Sequence, residues 1–311
     1  MPATLIVGAT GNTGRSVTTT LSALTNQPIL ALTRDTNTPT AQHLATLANV
    51  QVLQQNWTEI TAAWLRSHSI TRVFIAPHNG ISAFPDESTF LVNARNAGVE
   101  YLVRISTTAP NVRPDTDVYY ARTHWAIESL LSSPEFDALQ WTSLQANVFI
   151  PFYLAPAVEY IKRFRETGKQ DASTPLRLMA SEDAPVGIID PDEVGVFAAR
   201  LLATEDPSVH NKAKYVLNGP ADITGRQIVE LVEGYIGAAV EHVSFKDMSF
   251  VEALLDPRHS RNVLSSIRYA AVTAWEGKCR AETTSKEVLE IAAPRRTAAE
   301  VLGEMVREES I

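Results

Sequence analysis

Glycines at positions 8, 11 and 14, with Thr10, Asn12 and Thr13 among them, follow the apolar run Thr4–Val7 and precede a helical pattern carried by Val17, Leu21 and Leu24. Glycine tolerates backbone angles that other residues resist, and without a side chain it lets main-chain amides approach an anion. The first turn of a helix adds unpaired N–H groups and the positive end of its dipole. Strand, turn and helix together predict a phosphate cradle for a dinucleotide, made by Gly8, Thr10, Gly11, Asn12, Thr13 and Gly14. Its spacing is Gly-x-x-Gly-x-x-Gly, not the Gly-x-Gly-x-x-Gly of the dehydrogenase fingerprint. Arg34 stands 20 residues after Gly14, at the end of a second apolar run. A carboxylate there accepts from both ribose hydroxyls of NAD, whereas a guanidinium pairs with the 2′-phosphate of NADP. NADP(H) is the expected cofactor, with Arg15 as a second positive charge; Asp35, beside Arg34, pulls the other way.

A second group of chemical residues lies farther on. Tyr120, His124 and Glu128 are spaced i, i+4, i+8, which puts them along one face of a helix. His124 reads either as a proton donor or orienting group above the cofactor ring, or as a hydrogen-bonded helix residue without chemistry. Ser106, with Thr107 and Thr108, ends an apolar strand pattern close by. No His/Asp/Glu cluster has metal-ligand spacing: His210, His242 and His259 stand apart, and no metal is expected. Cys279 has no histidine near it in sequence and reads as inert.

These groups need a sheet to hold them. Apolar runs at Thr4–Val7, Pro28–Thr33, Val50–Leu53, Arg72–Ala76, Tyr101–Ile105 and Gln140–Leu144 alternate with helical stretches near 41–47, 61–66, 87–97 and 119–131. Runs this apolar, separated by helices, predict an α/β fold: a Rossmann-like doubly wound parallel sheet covered on both faces. Ligands of such sheets bind beyond the strand C-termini, where Ala76, Pro77 and His78 follow the fourth strand. After Asn147 the rhythm changes. Phe149–Phe164 is aromatic-rich and interrupted by Pro151 and Pro156, Asp190-Pro191-Asp192 opens a helix, Thr224 caps another, and the tail from Asp247 to Arg307 is mostly helical by pattern. The expected division is a nucleotide-binding domain over 1–146 and a smaller, mainly helical substrate lobe over 147–311, with segments near 186–218 returning to the sheet.

Composition narrows the setting. The 311 residues are 45% hydrophobic and 20% charged, ordinary for a globular enzyme. A net charge of −8, with no basic run longer than Arg295-Arg296, argues against direct nucleic-acid binding. No apolar run approaches the ~20 residues that span a bilayer, and Leu5–Val7 reads as strand, not signal peptide. One cysteine excludes an intrachain disulfide and suits a reducing, cytoplasmic compartment.

Several stretches resemble the NmrA-like atypical short-chain dehydrogenase/reductases: Gly-Ala-Thr-Gly-Asn-Thr-Gly-Arg (8–15), Leu-Thr-Arg (32–34), His-Trp-Ala-Ile-Glu-Ser-Leu-Leu (124–131), Trp-Thr-Ser-Leu-Gln (141–145), Ile-Asp-Pro-Asp-Glu-Val-Gly (189–195) and Tyr-Val-Leu-Asn-Gly-Pro-Ala-Asp-Ile-Thr (215–224). The resemblance covers residues 3–245 and is strongest to fungal members, among them festuclavine synthase-like reductases of alkaloid pathways. It implies NADPH-dependent reductases, quinone reductases, or proteins that bind NAD(P) as a redox readout for transcription. The wider superfamily pairs a Ser/Thr and a Tyr with a Lys four residues after the Tyr, which lowers the phenol pKa. Here Ser106-Thr107-Thr108 ends the fifth strand and Tyr119 and Tyr120 start the next helix, but four residues after these tyrosines stand Thr123 and His124, not a lysine. Without it, an iminium ion, quinone or conjugated carbonyl suits as acceptor, because the hydride step then needs little or no proton transfer. A non-catalytic NADP(H) sensor with a protein partner is the alternative, followed by a redox-neutral enzyme that keeps the nucleotide bound. The resemblance further places Asn56 by the adenine, where the family usually has Asp, and Phe149 against the nicotinamide. Gln145 replaces the family's usual arginine. The aromatic residues of the lobe (Phe149, Phe152, Tyr153, Tyr160, Phe250, Trp275) suit an aromatic or fused-ring ligand.

Overall fold

The computed structural model describes residues 1–308. Seven parallel strands form one sheet: β1 (Ala3–Val7), β2 (Ile29–Thr33), β3 (Val50–Gln54), β4 (Ile70–Ile75), β5 (Tyr101–Ile105), β6 (Gln140–Ala146) and, after a two-residue β7 (Leu176–Arg177) outside it, β8 (Ala213–Leu217). Their order is β3-β2-β1-β4-β5-β6-β8. The order reverses between β1 and β4, the crevice at which doubly wound sheets bind ligands. β7 pairs instead with β9 (Val243–Ser244).

Both sheet faces are covered, because buried parallel strands are apolar on both sides. On one face lie α1 (Gly14–Leu24), α2 (Pro39–Leu44), α7 (Pro191–Ala203) and α11 (Lys286–Ala292). Their Val17, Leu21, Leu44, Phe197 and Val288 pack on Ile6, Ala31 and Val103. On the other lie α3 (Ala62–Ser67), α4 (Ala83–Ala97) and α5 (Tyr119–Leu131), whose Leu65, Phe90 and Ile127 pack on Leu5, Val73, Leu102 and Trp141.

The second half is built on α6 (Ile150–Thr167) and α8 (Gly225–Ile236), followed by the short α9 (Arg261–Ser265) and α10 (Val272–Trp275) and by α12 (Ala298–Glu308). The prolines do not interrupt α6. Pro151 occupies its first turn, where no N–H is needed. Pro156 removes one internal hydrogen bond, but Leu154, Ala157 and Ile161 pack into the core shared with α8 and α12, and the helix runs on. The helical tail resolves into short pieces and 3₁₀ turns. Two helix starts follow the sequence: Asp190 Oδ1 accepts from the Asp192 amide, and Thr224 forms a reciprocal capping box with Gln227. Segments of the second half return to the sheet, β8 beside β6 and α7 on α1, and α11 joins them.

Candidate functional site

The glycine turn joins β1 to α1 under close steric control. Gly8 has φ +80°, a conformation costly for residues with a Cβ. A Cβ on Gly14 would stand 2.1 Å from the Gly8 carbonyl oxygen, so α1 begins directly against the turn. The Gly11 amide donates to the Gly8 carbonyl (3.0 Å), Ala9 to Leu32 (3.1 Å), and Ala76 to Val7 (3.3 Å), which fixes the turn between β2 and β4. The amides of Asn12, Thr13 and Gly14 donate to no group among the described residues. They sit at the positive end of α1, whose first turn carries no acidic residue. Free amides at a helix dipole form an anion cradle. The Thr10 hydroxyl lies 3.2 Å from that of Thr33, so the loop borders the end of β2.

Arg34 follows Thr33 there, exposed and without an ion pair or hydrogen bond among the described residues. Asp35 does not compete for it: its carboxylate accepts from the amide and side chain of Asn37 (2.8 and 3.0 Å). Arg15 turns to Asp192 instead (both bonds 3.2 Å). The Asn56 carboxamide is also engaged, accepting from Thr58 (amide 3.2 Å, hydroxyl 3.0 Å) and donating to Glu59 (3.0 Å) as the cap of a 3₁₀ turn. At the mouth of the switch point, Ala76 and Phe149 pack with Ile105 on the same apolar cluster. Pro77 follows Ala76 and is partly exposed. His78 Nδ1 accepts from the Gly80 amide (3.0 Å), so Nε2 carries the proton and donates to Asp86 (2.9 Å).

Beyond β5 the hydroxyl groups divide. Strand alternation directs Leu102, Arg104 and Ser106 toward α5, and the Ser106 hydroxyl donates to Glu128 Oε1 (3.0 Å). The side chain that meets Tyr120 is the next residue, Thr107. The Ser106 hydroxyl is thus engaged by Glu128, and Thr107 is the hydroxyl side chain that lowers the phenol pKa. Burial pushes the Tyr120 hydroxyl above its ordinary value, against a lowering by Thr107, so it stays protonated through neutral pH.

His124 lies in a polar network sealed between α4, α5 and the sheet. Arg104, fully buried, donates to both oxygens of Glu87 (2.7 and 3.0 Å), to Ser143 (3.1 Å) and to His124 Nδ1 (2.9 Å). With Nδ1 accepting, the proton sits on Nε2, which donates to Asn79 Oδ1 (3.0 Å). Both ring nitrogens are thus occupied. Burial, and then the Arg104 charge, hold His124 well below its ordinary value, so it is neutral. Glu128 collects Ser106, Ser143 (2.7 Å), Gln145 (3.2 Å) and Lys214 (3.3 Å). The charge that Gln145 lacks is supplied by Lys214 on β8.

A pH dependence follows. Unfolded His124 titrates near 6.5, whereas folded His124 protonates only at lower pH. Its contribution is complete above the unfolded value and is lost as pH falls below it. Below about pH 6.5 the loss approaches 1.4 kcal/mol per pH unit. His124→Gln should flatten that slope in chemical denaturation between pH 7.5 and 5.5. His210, lowered by burial, contributes alike to both proteins.

Among the described residues no helix is long and apolar enough to cross a membrane, and no three His, Cys, Asp or Glu are placed to hold a metal ion. Cys279 is buried, and burial raises its thiol pKa.

A parallel doubly wound sheet, a glycine turn with free amides at its switch point and a tyrosine–threonine pair at the strand C-termini define a Rossmann-like protein with a dinucleotide-type cradle. The NmrA-like family profile matches residues 3–276, and the chain belongs to that family. Among solved structures it is similar to an NADPH-dependent quinone oxidoreductase from Escherichia coli complexed with NADPH (20% identity over 98% of this chain and 99% of that one, TM-score 0.72). It is also similar to the Citrobacter sp. triphenylmethane reductase complexed with NADP(H) (16%, 97% and 99%, TM-score 0.72) and to NmrA, a negative transcriptional regulator, in complex with NADP (13%, 99% and 96%, TM-score 0.71). Among curated proteins no sequence matches significantly.

Proposed function

We propose that the chain is an NADPH-dependent reductase that delivers hydride to a small aromatic or fused-ring acceptor, namely an iminium ion, a quinone or a conjugated carbonyl. The observation that carries this reading is the set of free amides at residues 12–14, with the unpartnered Arg34 guanidinium at the neighbouring strand end. The amides would hold a pyrophosphate beside Gly8, Thr10 and Gly11, and Arg34 a 2′-phosphate. Asn56 orders the turn bordering the adenine, while Ala76, Pro77 and Phe149 line the nicotinamide side. When bound, the reduced nicotinamide supplies the hydride. Tyr120, protonated and held by Thr107, donates a hydrogen bond to the acceptor. Ser106 and His124, with their hydrogen-bonding groups engaged, are positioning residues. The resemblance to fungal alkaloid-pathway reductases supports a place in secondary metabolism, and the single buried thiol suits the cytoplasm.

The full engagement of His124 and Ser106 favours one second reading, an NADP(H) sensor that signals to a protein partner. Oxidation of NADPH against a panel of quinones, iminium salts and enones separates the two. Turnover that falls about 10-fold in Tyr120→Phe, with NADPH affinity kept, supports the reductase, since a neutral hydrogen bond contributes about that much. Binding without turnover across the panel favours the sensor. For the cofactor, Arg34→Ala should weaken NADPH by about 10–100-fold, the range of a charge-assisted contact, and leave NADH unchanged. Equal loss of both nucleotides would remove Arg34 from the assignment.

A further inference from the structure

Arg15 is the first residue after Gly14, so its stem rises beside the free amides of the turn. Its guanidinium grips Asp192 through two parallel hydrogen bonds of 3.2 Å. Asp192 is fixed where it stands. Its amide donates to Asp190 (2.8 Å), its carbonyl accepts from the Ser16 hydroxyl (2.7 Å), and a Cβ on Gly195 would come within 2.6 Å of the Ser16 side chain. The Asp192 backbone is thus held against the first turn of α1, and of the two paired side chains the guanidinium is the more exposed (52% against 35%). The pair borders a cleft of about 520 Å³ between α1 and α2, shared with Thr40 and His43. The loop carrying Arg34 runs directly into α2. Arg15 follows the glycine turn directly and Arg34 follows Thr33, which touches the turn at Thr10 (3.2 Å); the second arginine is unpartnered among the described residues and the first already occupied.

We propose that Asp192 is a specificity-determining residue: it holds Arg15 off the ribose phosphate and so limits how strongly NADPH is preferred over NADH. This rests on the dinucleotide reading above. An exposed ion pair contributes little, and a guanidinium bonds more strongly to a phosphate dianion. Arg15 transfers to the phosphate when NADPH binds. Parting from Asp192 is a cost charged to NADPH alone, because NADH has no phosphate to draw Arg15 away.

Titration of the full chain with NADPH and NADH tests this in four proteins: wild type, Asp192→Asn, Arg15→Ala and the double variant. Asp192→Asn is expected to tighten NADPH about three- to five-fold, the reach of an exposed pair, without moving NADH. Arg15→Ala should weaken NADPH about 10-fold, and in its background Asp192→Asn should have no effect. The proposal is overturned if Asp192→Asn shifts both nucleotides alike, shifts neither, or still acts without Arg15. A lowered Tm with an unchanged NADPH/NADH ratio would make the pair only a brace between α1 and α7. Loss of NADPH selectivity in Arg34→Ala with Asp192→Asn silent would sink this inference alone; retention of neither nucleotide by the wild type would sink the dinucleotide reading with it.

Discussion

Arg104→Met is expected to cost the fold about 3–5 kcal/mol, the penalty for breaking a buried ion pair from one side. Arg104 has no exposed side-chain surface, and Glu87 has 1%. Methionine fills much of the arginine's volume, so the loss is electrostatic more than steric. Glu87 is left buried with no cation, while Ser143 and His124 each lose a donor. Urea unfolding should show the loss directly, and a thermal scan should show it as a Tm lower by roughly 10 °C. The compensating experiment separates pairing from packing. Arg104→Met/Glu87→Met removes both charges, and well-packed apolar substitutes for a buried pair are often no less stable than the pair. The double variant should recover most of the loss, since Glu128 keeps Lys214, Ser143 and Gln145 as partners. A double variant as unstable as the single one would mean that the arginine matters for its shape.

That network marks where reading the sequence stops. The strands, the glycine turn and the Asp190 and Thr224 caps are local: each is written in a short continuous run, and each forms as its pattern predicts. Arg104 is visible as a charge inside the apolar run Tyr101–Ile105, yet nothing local names its partners. Glu87 lies on α4, His124 and Glu128 on α5 and Ser143 on β6, brought together only by strand order. Ser106 against Thr107 was decidable by strand parity, because 102, 104 and 106 must share a face. Pro156 misleads for the opposite reason: a local helix-breaking signal is overridden by the packing of the apolar face of α6. The glycine turn and its free amides were legible because they are local backbone features. The network around His124 was not, because side chains from five elements converge there.

Gly14→Ala should reduce NADPH binding by about 100-fold, the equivalent of two charge-assisted hydrogen bonds from main-chain amides. The added methyl would meet the Gly8 carbonyl oxygen at 2.1 Å, its carbon at 2.7 Å and the Ala9 Cα at 2.9 Å. All three are backbone atoms, so no side chain can rotate away. Relief comes only by lifting the start of α1 off the turn, which carries the amides of residues 12–14 away from the anion they would hold. Stability should fall as well, by about 1–3 kcal/mol for overpacking of this kind. Gly11→Ala is a graded control, since its methyl would meet only the Gly8 carbonyl oxygen at 3.2 Å, and it should weaken NADPH far less. Gly234→Ala, inside α8 with nothing within 4 Å of the new methyl, should bind normally and gain up to about 1 kcal/mol in helix propensity. If titration instead finds Gly14→Ala and Gly234→Ala equal in NADPH affinity, then the contact between α1 and the turn is not what holds the cradle in shape.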